Sequence, residues 1–198
     1  MAPPTGFIDL QSVPGLWFDI AYASEANVTG RPLPGYGRPG AWLREAAGRA
    51  LADVAAALAD EGLGLLIYDA YRPVRATDAL VAWAEDTGQG WLFDDGYIAR
   101  RSLHNLGVAV DLTLCDRATG TPLAMGTAFD AFHPSSHALY FADRTDAQGA
   151  GWHRERMRLR ASMARHGFSP YDTEWWHFTH DASGRPERVD IPYDSEDS

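Results

Sequence analysis

Two short segments hold the residues best suited to chemistry. One runs Ser102-Leu103-His104-Asn105-Leu106-Gly107-Val108-Ala109-Val110-Asp111, and the other Glu174-Trp175-Trp176-His177-Phe178. Two imidazoles and one carboxylate, His104, His177 and Asp111, make a three-ligand set that suits a catalytic zinc and leaves a fourth position for water. Glu174 would then be a nearby, unligated general base. Strand periodicity puts a condition on this. In one straight strand the odd separation of His104 and Asp111 sends them to opposite faces. They meet only if His104 lies in the approach to the strand and the chain bends near Gly107, as glycine permits. Glu174 and His177 are also an odd number apart, so Glu174 belongs at the start of its strand, where the chain still turns. Asp111 stands among apolar and β-branched residues, where a carboxylate is costly to bury unless a cation holds it.

Each residue also has a plainer reading. A lone histidine among apolar neighbours is usually a hydrogen-bonded core side chain, and Asp111 by itself fits a turn at a strand end. The combined pattern favours metal over these. His133 and His137 form a rival His-x-x-x-His pair, but Pro134 between them discourages the helix that would align them. No His-Glu-x-x-His segment is present, so the common helical zinc-peptidase design is absent. His153, His166 and His180 read as surface residues.

The elements that must position these side chains follow from periodicity. Leu43, Ala46, Ala47, Ala50, Leu51, Val54, Ala57 and Leu58 recur at three- and four-residue spacing and predict a helix over 41–60, ended by Gly62 and Gly64. Leu65 to Tyr68 is a short buried strand leading into Asp69-Ala70-Tyr71-Arg72-Pro73. Pro73 opens a second helix to about Glu85. Gly107 to Leu114 is a strand with Val108, Val110 and Leu112 on one face and Ala109, Asp111 and Thr113 on the other. A third helix over about 152–166 stops at Gly167, and Trp175 to Thr179 is a closing strand. Residues 1–40, rich in proline and glycine, read as an irregular arm wrapped on the domain. Residues 190–198 are polar and acidic and are expected to fray. The whole, 1–198, reads as a single α+β domain with helices on a central antiparallel or mixed sheet.

Composition removes several classes of function. The net charge of −10 argues against nucleic acid, an anionic membrane or a polyanionic wall polymer as partner, and leaves a neutral or zwitterionic small substrate. Cys115 is the only cysteine, so any metal site must use histidine and carboxylate, and the pattern fits a reducing compartment. No run approaches the length of a transmembrane helix. The start, Met-Ala-Pro-Pro-Thr-Gly, lacks the basic and apolar features of a signal peptide, so the expectation is a cytoplasmic protein. The seven Trp and eight Tyr suit either the core or the lining of a small-ligand pocket. The sequence does not specify an oligomeric state.

Over nearly its whole length the sequence resembles the D-alanyl-D-alanine dipeptidase family, the VanX-like branch of the zinc D,D-peptidases. The resemblance rests on Tyr22-Ala23 with Asn27-Val28-Thr29-Gly30, and on Tyr68-Asp69-Ala70-Tyr71-Arg72-Pro73. It continues through Ser102 to Asp111, Met125-Gly126-Thr127-Ala128-Phe129-Asp130, Ser136-His137 and Glu174 to Phe178. Val28 departs from the aromatic expected in the arm motif, away from the chemistry. The resemblance implies one Zn2+ per chain held by His104, Asp111 and His177, with Glu174 as base. It implies that Arg72 stabilises the tetrahedral intermediate, and that Asp130, Tyr22 and Ser102 line the substrate pocket, Asp130 meeting the substrate ammonium. It also implies a small α+β domain with a central antiparallel sheet.

Arg72 suits an oxyanion because it stays charged and offers several donors; it could equally form a structural salt bridge with Asp69. Asp130, after Phe129, could simply cap a turn. The reading that follows is zinc-dependent hydrolysis of D-Ala-D-Ala to two D-alanines. The alternatives are a D,D-carboxypeptidase or wall endopeptidase on the same fold, or a non-enzymatic zinc-bearing domain like that of Hedgehog proteins. Glu174 and Arg72 argue against the last, which has no need of both.

Overall fold

The computed structural model describes residues 2–181 and 186–193. Its elements are strand β1 (Phe7–Asp9), β2 (Leu16–Phe18), β3 (Trp42–Arg44), helix α1 (Glu45–Leu58), β4 (Leu63–Asp69), α2 (Val74–Asp86), the single turn α3 (Trp91–Asp94), β5 (Ala109–Asp116), α4 (Ala147–Ala164), β6 (Phe168–Tyr171) and β7 (Glu174–His180). The main sheet has the order β2-β4-β5-β7-β6; β2 runs parallel to β4 and every other pair is antiparallel. β1 and β3 form a separate two-stranded ladder. This is the expected α+β architecture, with a mixed sheet. Because β4 and β5 are central, both their faces are buried, which is why neither shows a clean polar–apolar alternation. Val110, Leu112 and Leu114 share a core with Leu51, Val54 and Leu58 of α1 and Leu159 and Met163 of α4. The odd-numbered side of β5, carrying Asp111, is thereby left for the site.

Three expectations need correction. The helical pattern begins at 41, but Trp42–Arg44 is a strand, because its ladder with β1 and the burial of Trp42 and Leu43 outweigh the local period. The arm is not irregular throughout: it supplies β1 and β2, and β2 extends the main sheet. The tail does not fray over Asp190–Tyr193; residues 194–198 lie outside the described residues. Ile191 N–H donates to Tyr71 Oη (2.7 Å), Arg75 pairs with Asp190, and Tyr193 is fully buried, its hydroxyl donating to the Tyr71 carbonyl at 2.6 Å. Gly40 makes room for that ring, since a Cβ there would stand 2.1 Å from Tyr193 Cδ1. One aromatic residue thus outweighs the acidic composition around it.

Tyr193→Ala should therefore destabilise the protein by about 3–5 kcal/mol, the usual cost of deleting a buried aromatic side chain. Urea unfolding measures this, and a loss below about 0.5 kcal/mol, the scale of surface changes, would restore the frayed tail.

Candidate active site

Three strands set three functional residues in a row. Asp69 of β4 lies opposite Asp111 of β5, and Asp111 lies opposite His177 of β7. The first pairing depends on a register shift between Ile67 and Asp69. Without it Asp69 would oppose Val110, which faces the helices, and a one-residue slip changes faces. His104 reaches the row from outside the strand, on a 3-10 turn over Leu103–Leu106. Ser102 Oγ caps this turn by accepting from His104 N–H at 3.2 Å. Gly107 ends it at φ 71°, where a Cβ would lie 2.4 Å from Phe7 Cε1, so both conformation and space require glycine. Glu174 starts β7, and the pairing of β6 with β7 shifts register between Pro170 and Tyr171. That irregularity lets Glu174 and His177 line one cavity despite their odd spacing.

The donor atoms converge. His104 Nε2 lies 3.2 Å from His177 Nδ1 and 3.3 Å from Asp111 Oδ2, and His177 Nδ1 lies 2.9 Å from Asp111 Oδ1. His104 Nδ1 is 2.6 Å from the Ala70 carbonyl, which can only accept, so that nitrogen carries the proton and Nε2 offers a lone pair. His177 Nε2 is turned to Thr179 Oγ1 at 3.3 Å. Without a metal, His177 Nδ1 donates to Asp111 Oδ1; a cation at this point would replace that proton and meet two imidazole nitrogens and a carboxylate. Tetrahedral ligands about 2.0–2.2 Å from a zinc ion stand roughly 3.2–3.6 Å apart, close to these separations. The residues fit the metal. Burial pushes the Asp111 carboxyl upward, but His104 and His177 outweigh it and hold the group ionised, well below the usual carboxylate range.

All eight residues singled out in the sequence line one cavity of about 280 Å³: Tyr22, Arg72, Ser102, His104, Asp111, Asp130, Glu174 and His177. Arg72 makes the salt bridge with Asp69. Its Nε and Nη2 donate to Asp69 Oδ2 at 2.9 and 2.8 Å, which fixes the guanidinium while Nη2 stays 3.7 Å from Asp111 and the group lies 4.7 Å from the Tyr22 ring centre. Asp69 is braced in turn by Tyr36 Oη at 2.5 Å. Tyr22 donates to Asp130 Oδ2 at 2.8 Å. Asp130 is the one non-glycine residue at positive φ (54°) among the described residues, so its turn geometry serves to aim the side chain and does not compete with it. Burial, with Asp111 and Asp130 nearby, raises the Glu174 carboxyl well above its ordinary value. Burial raises Asp130 to about 7, against the lowering effect of the Tyr22 hydrogen bond.

Other residues join the cavity without having been singled out as site residues. Tyr97, Phe132, Tyr171 and Trp176 line it, and Asp69 positions Arg72. An acid ending an apolar strand was the available signal for Asp69; nothing local marks Tyr97, which comes from the loop after α3. His133 bonds to Ser135, and His137 faces Tyr97 Oη at 3.1 Å. Neither belongs to a three-ligand cluster among the described residues. His153, His166 and His180, expected at the surface, are half-buried because α4 and β7 pack their inner faces.

A mixed sheet that gathers two imidazoles and a carboxylate, beside a buried glutamate and an anchored arginine, defines a metal-dependent peptidase. More narrowly, the chain belongs to the D-Ala-D-Ala dipeptidase family, whose model matches residues 4–194. It is 37% identical over 186 residues to the D-alanyl-D-alanine dipeptidase of Streptomyces coelicolor, covering 87% of this chain and 89% of that one. It is 36% identical over 179 residues to the dipeptidase of Escherichia coli K12, covering 90% and 86%. Among solved structures, the LD-carboxypeptidase LdcB shares the fold with a TM-score of 0.51 at 16% identity, covering 91% of this chain and 69% of that one.

The Asp130 shift has a consequence for stability in the metal-free protein. Between its ordinary value of 3.8 and about 7, the folded state keeps a proton that the unfolded state releases. Folded stability from this group is full at low pH and is lost as pH rises through about 7. Asp130→Asn lacks the effect, so urea unfolding should favour the variant progressively more, relative to the parent, between about pH 4 and about pH 7, and level off above that. A constant difference would mean that Asp130 is already ionised in the fold.

Proposed function

We propose that this chain hydrolyses D-alanyl-D-alanine to two D-alanines, with one Zn2+ per chain held by His104, Asp111 and His177. The observation that carries the reading is the enclosure of these ligands, Glu174, Arg72 and Asp130 in one small cavity. Bound there, zinc would supply Lewis acidity, making water more acidic and the scissile carbonyl more electrophilic. Glu174, whose carboxyl burial raises, lines the same cavity as the ligands and is the group suited to take a proton from the attacking water and hand it to the leaving amine. Arg72, fixed by Asp69 through Nε and Nη2, keeps Nη1 without a hydrogen-bond partner among the described residues. That free donor fits the oxyanion that develops as the carbonyl is attacked.

Asp130 measures the substrate from its amino end. An ammonium placed beside it restores the ionised form that the empty pocket disfavours, and a buried pair of this kind is costly to break from either side. Tyr22 holds the carboxylate in place, and Ser102 offers a hydroxyl at the cavity wall beside its capping role. The substrate is thus a small zwitterion. No helix among the described residues is long and apolar enough to cross a membrane. We place the reaction in the cytoplasm, where the single buried Cys115 stays reduced.

D-Ala-D-Ala should be cleaved by the zinc-loaded protein, while N-acetyl-D-Ala-D-Ala and longer peptides ending in D-Ala-D-Ala stay nearly inert. Efficient turnover of the acetylated peptide would make the protein a D,D-carboxypeptidase instead. Glu174→Gln should keep its zinc, measured by metal analysis, and lose about 10²–10⁴-fold in kcat. Loss of the metal from that variant would make Glu174 a ligand, and full activity would remove it from the mechanism.

A further inference from the structure

Arg156 of α4 is a buried charge that the proposed chemistry leaves unused. It is 2% exposed and has no carboxylate partner among the described residues. Its Nε donates to the Met125 carbonyl at 2.7 Å and its Nη1 to the His137 carbonyl at 2.8 Å. The guanidinium lies against the rings of Phe141 and Trp175, 4.7 and 5.6 Å from their centres, and its Nη2 has no partner. Burial draws its pKa down to about 10, which still leaves it charged at neutral pH. An unpaired buried cation is costly, and a site that needed only packing would be better served by an apolar side chain.

The two carbonyls held by Arg156 bracket one loop. Residues 126–136 leave Met125, present Asp130 and Phe132 to the cavity, and return at His137. Inside the loop Ser136 Oγ donates to the Ala131 carbonyl at 2.5 Å, and Thr127 Oγ1 accepts from Trp175 Nε1 at 2.8 Å. One planar guanidinium therefore joins both stems of the loop that carries Asp130, without itself lining the cavity.

We propose that Arg156 is a positioning residue for substrate selection: by tying Met125 to His137 it fixes the loop that presents Asp130, and so sets how strictly the enzyme demands a free ammonium. This rests on the reading of Asp130 as the ammonium partner. The planar fork reaches two carbonyls at once in a fixed geometry, whereas a lysine ammonium is a point charge on a flexible stem. A binding group must be held within about 0.5 Å of its productive position, and a misplacement of about 1 Å costs about 100-fold.

The test compares zinc-loaded, full-length Arg156→Lys and Arg156→Met with the parent and with Asp130→Asn, on D-Ala-D-Ala and N-acetyl-D-Ala-D-Ala. Arg156→Lys should keep its zinc, raise KM for D-Ala-D-Ala by about 10- to 100-fold with a much smaller change in kcat, and narrow the preference over the acetylated peptide. Added to Asp130→Asn it should cost little more, because the loop then has no carboxylate to aim. If Arg156→Met does not fold, the lysine variant carries the test alone, with its melting temperature as control. Reduced stability with unchanged KM and unchanged selectivity in Arg156→Lys would overturn the proposal, provided Asp130→Asn does shift both. If Asp130→Asn shifts neither, the ammonium reading fails and this proposal falls with it.

Discussion

Three side chains able to bind a metal are brought within hydrogen-bonding distance of one another at the wall of one cavity. The proton of His104 is committed to the Ala70 carbonyl, so its Nε2 meets His177 Nδ1 and the Asp111 carboxylate with a lone pair. Asp111 is 3% exposed. Without a metal the histidines hold the Asp111 carboxylate ionised; a cation at the same point would take all three side chains as ligands. The shift in register between Ile67 and Asp69, the capped turn at His104 and the left-handed Gly107 all serve this convergence. They also explain why the site sits on the central strands, where backbone positions are best determined.

The same logic extends to the cavity as a whole. Asp111, Asp130 and Glu174 face it, and Arg72, already tied to Asp69, is the buried cation nearest to them. Burial and mutual repulsion lift Glu174 and Asp130 above the ordinary carboxylate range. The pocket is short of positive charge until a metal ion and a substrate ammonium enter. On the proposed function, zinc and zwitterion together would complete its electrostatics, a physical basis for preferring a free dipeptide over one with a blocked amino end.

Much of the site was legible because its demands are local. The bend at Gly107, the turn before Glu174 and the isolated carboxylate Asp111 each broke a strand rule in a way that pointed to chemistry. The central strands, α1 and α2 were legible as elements from apolar spacing, but their ends were not: α1 starts at Glu45, after the strand Trp42–Arg44. What could not be read depends on distant partners. β3 is a strand because β1 lies beside it, β2 joins the sheet through a parallel pairing, and Tyr193 is ordered because Gly40 admits its ring. Tyr97 and Arg156 carry no local mark, as their importance comes from what the folded chain places next to them.

The central claim is that the convergent cluster of His104, Asp111 and His177 is the zinc site. Diffraction from crystals of the zinc-loaded protein, recorded on either side of the zinc absorption edge, tests it directly. The account predicts one strong anomalous peak per chain, about 2.0–2.2 Å from His104 Nε2, His177 Nδ1 and an Asp111 carboxylate oxygen. A peak at His133 or His137, with none at the cluster in protein that still cleaves D-Ala-D-Ala, would contradict it.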